Sequence, residues 1–339
     1  METKIFSTNE NEIKEAGKIL ANGGLVAFPT ETVYGLGASA LDADAAKKIY
    51  TAKGRPSDNP LIVHICDKSQ IAEIAEEIPE NAKTVIDKFM PGPVTVILKK
   101  KSIVPDDVTG GLNTVAVRFP AHEVAQALIK SARVPVAAPS ANISGKPSPT
   151  KAKHLIKDMT GRIDAIIDGG DCNVGVESTI IDFTGEKATI LRPGGVTYDD
   201  LVEAGIEVEI DKNILQSISA DEAPKCPGMK YKHYAPNAEV IVVEGEMKAV
   251  QQKIKELIEE NKGKVTGVLT MYNSAYDDAV ILSAGKSNKE YAKNLFSALY
   301  EFDELGVDIV FAEFCDNDGY ALAVKNRLYK SAAQRVIHV

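Results

Sequence analysis

The sequence predicts an α/β protein of two domains, on three observations. Short apolar runs alternate with stretches whose apolar residues recur at helical spacing, the pattern of strands and helices taken in turn. The 339 residues are 44% hydrophobic, enough for two cores, since single cores seldom grow past about 250 to 300 residues. The alternation breaks once, over residues 211–237, where polar stretches with Pro224, Pro227, Gly228 and Pro236 carry little apolar repeat, as a linker does. The expected parts are residues 1–210, a linker 211–237, and a smaller domain 238–339.

The elements follow in order. Ile13, Ala16, Gly17 and Leu20 lie on one face of a helix from Asn9 to Ala21, which Gly23 and Gly24 end. A strand from Leu25 comes next, then strands over 61–66, 94–98, 114–119, 134–138, 165–167, 179–183 and 189–191. Helices are expected over 44–52, 82–89, 123–131 and 150–157. Beyond the linker the rhythm restarts: strand 239–243, helix 247–260, strand 265–271, helix 288–301, strand 309–311 and helix 321–335. This second part reads as a small Rossmann-like α/β domain. It has no glycine-rich dinucleotide fingerprint and no evident nucleophile with a base, so catalysis is expected elsewhere.

Composition narrows the class. A net charge of −9 argues against a protein that coats nucleic acid, because such binding rests on many Lys and Arg contacts to phosphate. The longest apolar runs fall short of the roughly 18 to 20 residues that cross a bilayer, and the first residues lack a signal-peptide core. A cytoplasmic protein without membrane contact is expected. Cys66, Cys172, Cys226 and Cys315 stand at neither zinc nor redox-motif spacing, so no metal ligands and no disulfides are assigned.

Four segments carry ligand-binding chemistry. Lys53-Gly-Arg-Pro-Ser-Asp-Asn-Pro-Leu-Ile-Val-His64 sets a point charge, a planar guanidinium fork, an amide and an imidazole around a strand start, an arrangement suited to phosphate or carboxylate. Alone, it is equally a solvated basic loop. Phe28-Pro-Thr-Glu-Thr-Val-Tyr-Gly-Leu-Gly37 is a loop of hydroxyls and glycine after an apolar run, the place where ligands sit in α/β sheets. Pro139-Ser-Ala-Asn-Ile-Ser-Gly-Lys-Pro-Ser148 repeats that design, with donors that cradle phosphate. Glu177-Ser-Thr-Ile and Leu191-Arg-Pro-Gly-Gly195 put a serine on one strand and an arginine at the end of the next.

In their order and spacing these segments resemble the YrdC-like family, and the resemblance runs through almost the whole chain. Lys225-Cys-Pro-Gly-Met-Lys-Tyr-Lys-His-Tyr-Ala-Pro236 and the α/β segment after it are similar to the family's long, two-domain form. The resemblance implies a twisted, open, mixed sheet with a concave ligand face, and a linker that lies over the active site as a lid. It also implies a reaction that joins L-threonine, bicarbonate or CO2, and ATP into threonylcarbamoyl-AMP and pyrophosphate. Mg²⁺ is expected on the triphosphate, and the product is expected to pass to a tRNA threonylcarbamoyltransferase complex. That step leads to threonylcarbamoyladenosine in tRNAs reading codons that begin with adenine. Contact with tRNA by this chain is not required.

Carried over position by position, the resemblance assigns Thr32, His64, Arg118 and Ser178 to threonine. It assigns Arg55, Asn59, Thr114, Ser140, Asn142, Ser148, Arg192 and the linker's Tyr231 to ATP. Lys53 and Arg55 are the candidate catalytic cations, Lys53 stabilising charge near the transferred phosphoryl. Each has a plainer competitor. Arg118 serves equally in a strand-end salt bridge, Ser140 and Asn142 as turn caps, and His64 as a satisfied core histidine. Glu31, Glu177 and Asp182 are read as salt-bridge partners. Two other functions fit a YrdC-like segment: an RNA-binding module and a carbamoyltransferase, the latter carrying zinc modules that this sequence lacks.

Overall fold

The protein is described by a computed structural model, covering residues 2–215, 224–230, 233–315 and 318–339. It divides into two compact units. The first holds Met1–Ser144, Pro149–Asn173 and Glu177–Lys230; the second holds Gly145–Ser148, Val174–Val176 and Tyr231–Val339.

The first unit is built on one sheet of eleven strands. In chain order they are β1 (Lys4–Phe6), β2 (Val26–Phe28), β3 (Gly35–Ser39), β4 (Ile62–His64), β5 (Val94–Lys99) and β6 (Thr114–Arg118). There follow β7 (Val136–Ala137), β8 (Ala165–Ile167), β9 (Thr179–Asp182), β10 (Thr189–Arg192) and β11 (Glu209–Ile210). Their order across the sheet is β1-β8-β2-β3-β7-β4-β6-β5-β9-β10-β11. Parallel pairs such as β4 with β6 adjoin antiparallel pairs such as β5 with β6, so the sheet is mixed, as the family resemblance implies. Helix Glu10–Ala21 starts where the Asn9 side chain accepts from the amide of Glu12, and it buries Ile13, Ala16, Gly17 and Leu20 against a core that includes Leu128 and Ile129. Helix Ala43–Lys53 starts at Asp42, whose side chain caps two amides, and stops at Gly54 with φ 61°. Glycine takes that left-handed turn without steric cost, and the stop delivers Lys53 to the sheet face.

Two expectations need correction. The segment after Phe28 is not loop throughout: Gly35–Ser39 is β3, antiparallel to β2. A Cβ on Gly37 would stand 2.8 Å from Val136 and 2.9 Å from Phe28, so glycine here serves close strand packing. The C-terminal helix ends at Ser331, not Arg335. Ala333 and Gln334, at φ 49° and 67°, turn the chain into a last strand. Pro224–Lys230, within the expected linker, is grouped with the first unit.

The second unit has a five-stranded parallel sheet of β12 (Glu239–Glu244), β13 (Thr266–Met271), β14 (Val280–Gly285), β15 (Ile309–Phe314) and β16 (Val336–His338), ordered β14-β13-β15-β12-β16. Its Rossmann-like character lies in this parallel α/β build, with β15 at the centre of the sheet between β13 and β12. Tyr234 packs on Phe296 with ring centroids 5.1 Å apart, and Arg327 lies 5.9 Å from the Tyr234 ring. Among the described residues no helix is long and apolar enough to cross a membrane.

Candidate active site

Residues two apart on a strand share a face, which puts Thr114 and Arg118 of β6 with His64 of β4 on one face of the first sheet. On β4 and β6, Ile62 pairs with Ala116 and His64 with Arg118. On the other side of β6, Ile97 of β5 pairs with Ala116, and Thr95 pairs with Ile180 of β9. Polar His64, Arg118 and Thr95 therefore adjoin an apolar floor of Ile62, Ala116, Ile97 and Ile180. Cys226, fully buried, and Met229 pack onto that floor.

At the polar end Arg118 is 4% exposed, and its Nη2 lies 2.7 Å from Glu31 Oε1. Glu31 stands in the turn after β2. That turn is held by Thr30, whose Oγ1 donates to the Val33 carbonyl at 2.6 Å and lies 2.9 Å from Thr32 Oγ1. Thr32 is fully buried. His64 Nδ1 donates to the Ile62 carbonyl at 3.0 Å. Burial and the Arg118 charge push its pKa down to about 3, so the ring is neutral near pH 7. The ring is thus held through Nδ1 and neutral, which leaves both readings of His64 open.

Ser178 joins this end to the arginine of β10. Its Oγ lies 2.7 Å from Thr95 Oγ1. Arg192 donates through Nε and Nη2 to the Ser178 carbonyl at 3.1 and 3.0 Å, and through Nη2 to Ser178 Oγ at 3.1 Å. Arg192 Nη1 also reaches the Pro227 carbonyl at 3.5 Å. Lys225 pairs with Asp182 at 3.2 Å and Lys230 with Asp58 at 3.4 Å. Cys226, two cations and Arg192 thus fasten Pro224–Lys230 over the site face.

The cationic end is set by Lys53. Its Nζ donates to the Ser140 carbonyl at 2.5 Å and to the Asn142 carbonyl, and the residue is 1% exposed. Burial, aided by the nearby Arg55, lowers its pKa well below the usual lysine value. Arg55 turns back on the carbonyls of Asn59 and Pro60, at 3.3 and 3.1 Å. Asn59 is buried, and its Oδ1 has no hydrogen-bond partner among the described residues. Ser140 Oγ donates to Asn142 Oδ1 at 2.5 Å, and Asn142 Nδ2 to the Ile143 carbonyl at 2.9 Å. Thr114 opens β6, half-buried.

The structure therefore joins Lys53 with Ser140 and Asn142, His64 with Arg118, and Ser178 with Arg192. Ser148 is buried but lies in the stretch grouped with the second unit. Tyr231 falls outside the described residues. Glu31 and Asp182 hold the salt bridges expected of them. Two neighbours of Glu31 had no signal in the sequence. His122 opens the helix Glu123–Ala132, and Cys172 is a buried thiol whose pKa burial pushes up to about 12, with Glu31 and Arg118 nearby. Among the described residues no three His, Cys, Asp or Glu side chains are grouped to hold a metal ion.

Comparison with known proteins identifies the family. The Sua5/YciO/YrdC family model, described as telomere recombination, matches residues 18–194. A second model, the threonylcarbamoyl-AMP synthase C-terminal domain, matches residues 196–333. A threonylcarbamoyl-AMP synthase of Pyrococcus abyssi is 50% identical over 332 residues, 97% of this chain and 96% of that one. One from Bacillus subtilis is 46% identical over 340 residues, 99% and 97% of the two chains. The crystal structure of P. abyssi Sua5 complexed with L-threonine superposes with a TM-score of 0.95 at 48% identity, covering 99% of this chain and all of that one. By model, by sequence and by structure over its whole length, the chain belongs to the threonylcarbamoyl-AMP synthase family, in its two-domain form.

Proposed function

We propose that this chain is an ATP-dependent nucleotidyltransferase that joins L-threonine and bicarbonate or CO2 to AMP, releasing pyrophosphate. The observation that carries the reading is the buried Arg118, whose Nε has no hydrogen-bond partner among the described residues. It stands beside His64, one strand from Thr95 and two from Ser178, in a chain similar to a structure solved with L-threonine. A buried guanidinium with an unused donor on its Nε edge suits a carboxylate.

Thr32 and Ser178 supply hydroxyls beside that edge, and the neutral His64 lines the pocket. The carbamate of threonine then attacks the α-phosphorus of ATP. Carbamate and triphosphate are both anions, so the residues' task is to hold them together and to face developing charge with preset donors. Lys53 and Arg55 supply the cations, with Asn59, Thr114, Ser140, Asn142 and Arg192 around the nucleotide. Ser148 and Tyr231 remain assigned to ATP by the resemblance alone. Mg²⁺ would enter on the triphosphate with water as its remaining ligands, consistent with the donor set described, and would neutralise phosphate charge. The product would pass, in the cytoplasm, to a separate complex that modifies tRNA.

Pyrophosphate release from Mg²⁺-ATP, with threonine and bicarbonate omitted in turn, tests the reading. Release that needs both, with a threonine-containing adenylate formed, is the expected result. Release indifferent to threonine would point to a carbamoyltransferase, and none at all to an RNA-binding module.

A further inference from the structure

Three buried polar atoms near the Arg118–Glu31 pair lack hydrogen-bond partners among the described residues: Arg118 Nε, Glu31 Oε2 and His122 Nδ1. The His122 ring lies near enough for the Glu31 charge to raise its pKa against the lowering by burial. Leaving such atoms unpaired costs about 1 to 3 kcal/mol each, so three in one place signal a ligand that completes them.

The pair is charge-split. Arg118 presents an unused Nε donor beside the Nη2 that meets Glu31 Oε1 at 2.7 Å, and Glu31 presents its other oxygen, Oε2, as an unused acceptor. An α-amino acid carries the matching charges, carboxylate and ammonium, on one carbon. We propose that Glu31 is the residue that recognises the amine of the amino-acid substrate, its Oε2 accepting from the ammonium while Arg118 takes the carboxylate. This rests on the proposed threonine reading and adds to it. Glu31 is then a positioning and specificity residue, restricting the pocket to substrates with a free α-amine and orienting the nitrogen that is carboxylated. The nitrogen of the carbamate keeps one N–H, so the same contact survives that step.

The test compares L-threonine with (R)-3-hydroxybutanoate, the same molecule without its amine, by calorimetry on the wild type, Glu31→Gln and Glu31→Asp. In the wild type threonine is expected to bind about 10- to 100-fold tighter, the range for a charge-assisted hydrogen bond. Glu31→Gln is expected to cut that preference to about threefold or less while leaving hydroxybutanoate affinity nearly unchanged. Glu31→Asp, which keeps the charge but retracts the oxygen, should also reduce it. A variant that weakens both ligands equally, leaving the preference intact, would show Glu31 acting only through Arg118 and overturn the proposal. Equal binding of the two ligands to the wild type would overturn it as well. A wild type that binds neither would instead defeat the threonine reading itself.

Discussion

Arg118 and Glu31, 87 residues apart, form a buried ion pair with Nη2 2.7 Å from Oε1. The pair leaves Arg118 Nε, the donor next to Nη2, unmatched. Lysine in its place keeps the charge but loses the fork. Arg118→Lys is therefore expected to raise the apparent threonine KM about 10- to 100-fold, with the ATP KM within about threefold. Steady-state pyrophosphate release, varying each substrate, measures both. Equal rises would remove Arg118 from the threonine pocket.

Gly194 lies against β9. A Cβ there would stand 2.2 Å from the Glu177 carbonyl oxygen and 2.5 Å from the backbone of Ser178 and Thr179. Those atoms are backbone and cannot swing aside. Gly194→Ala must push the turn after Arg192 off the strand, lengthening the Arg192–Ser178 bonds. Overpacking of this kind costs about 1 to 3 kcal/mol, and the ATP KM should rise with it. A melting curve and an ATP titration that both match the wild type would contradict this account.

The location of the site was legible in the sequence because its residues sit in short, chemically dense segments: Lys53 to His64, Pro139 to Ser148 and Glu177 to Ile180. The partners inside the site were less so. That Lys53 rests on the carbonyls of Ser140 and Asn142 depends on backbone positions almost 90 residues away, which carry no side-chain signal. His122 was invisible for the same reason, as an unremarkable residue at a helix start. In the fold, long amphipathic helices such as Met247–Glu260 were found to the residue, while β3 was hidden by its glycines and β1, β11 and β16, of two or three residues each, were too short for a period to show. The contacts of Pro224–Lys230, made through Cys226, Met229 and two lysines, follow no apolar repeat, and only the family resemblance implied a linker lying over the site.

His64 makes a prediction about acid. Its pKa is about 3 in the folded protein against 6.5 for an ordinary histidine. Between those values the unfolded chain binds more protons, so the stability tied to a neutral His64 is whole above pH 6.5 and falls as the pH drops toward 3. The slope approaches about 1.4 kcal/mol per pH unit. His64→Gln lacks the titration, so the stability gap between wild type and variant should shrink from pH 7 to pH 5 in chemical denaturation. A gap independent of pH would mean that His64 is not buried and neutral.

Cys226 reports on the linker. It is fully buried in the floor of Ile62, Ala116 and Ile180, whereas Cys66 is only half-buried. A buried thiol reacts only when its cover opens. Maleimide labelling followed by peptide mass analysis should therefore find Cys226 reacting at least about tenfold more slowly than Cys66. Rapid labelling of Cys226 would show Pro224–Lys230 standing off the sheet.

Lys53 is the sharpest test of the chemistry. Its ammonium sits on two carbonyls at the end of a helix, and burial with Arg55 nearby drives its pKa down. An arriving triphosphate supplies the negative charge that this position lacks, so the cation is most favoured when substrate is bound. Interactions that strengthen as charge develops raise kcat rather than binding alone. Lys53→Met keeps the stem and removes the ammonium, and should lower kcat about 10²- to 10³-fold. Threonine affinity by calorimetry should stay near the wild-type value, because the carboxylate edge of Arg118 is on another part of the face. A Lys53→Met enzyme with full kcat and only a raised ATP KM would reduce Lys53 to an anchor for the loop it holds.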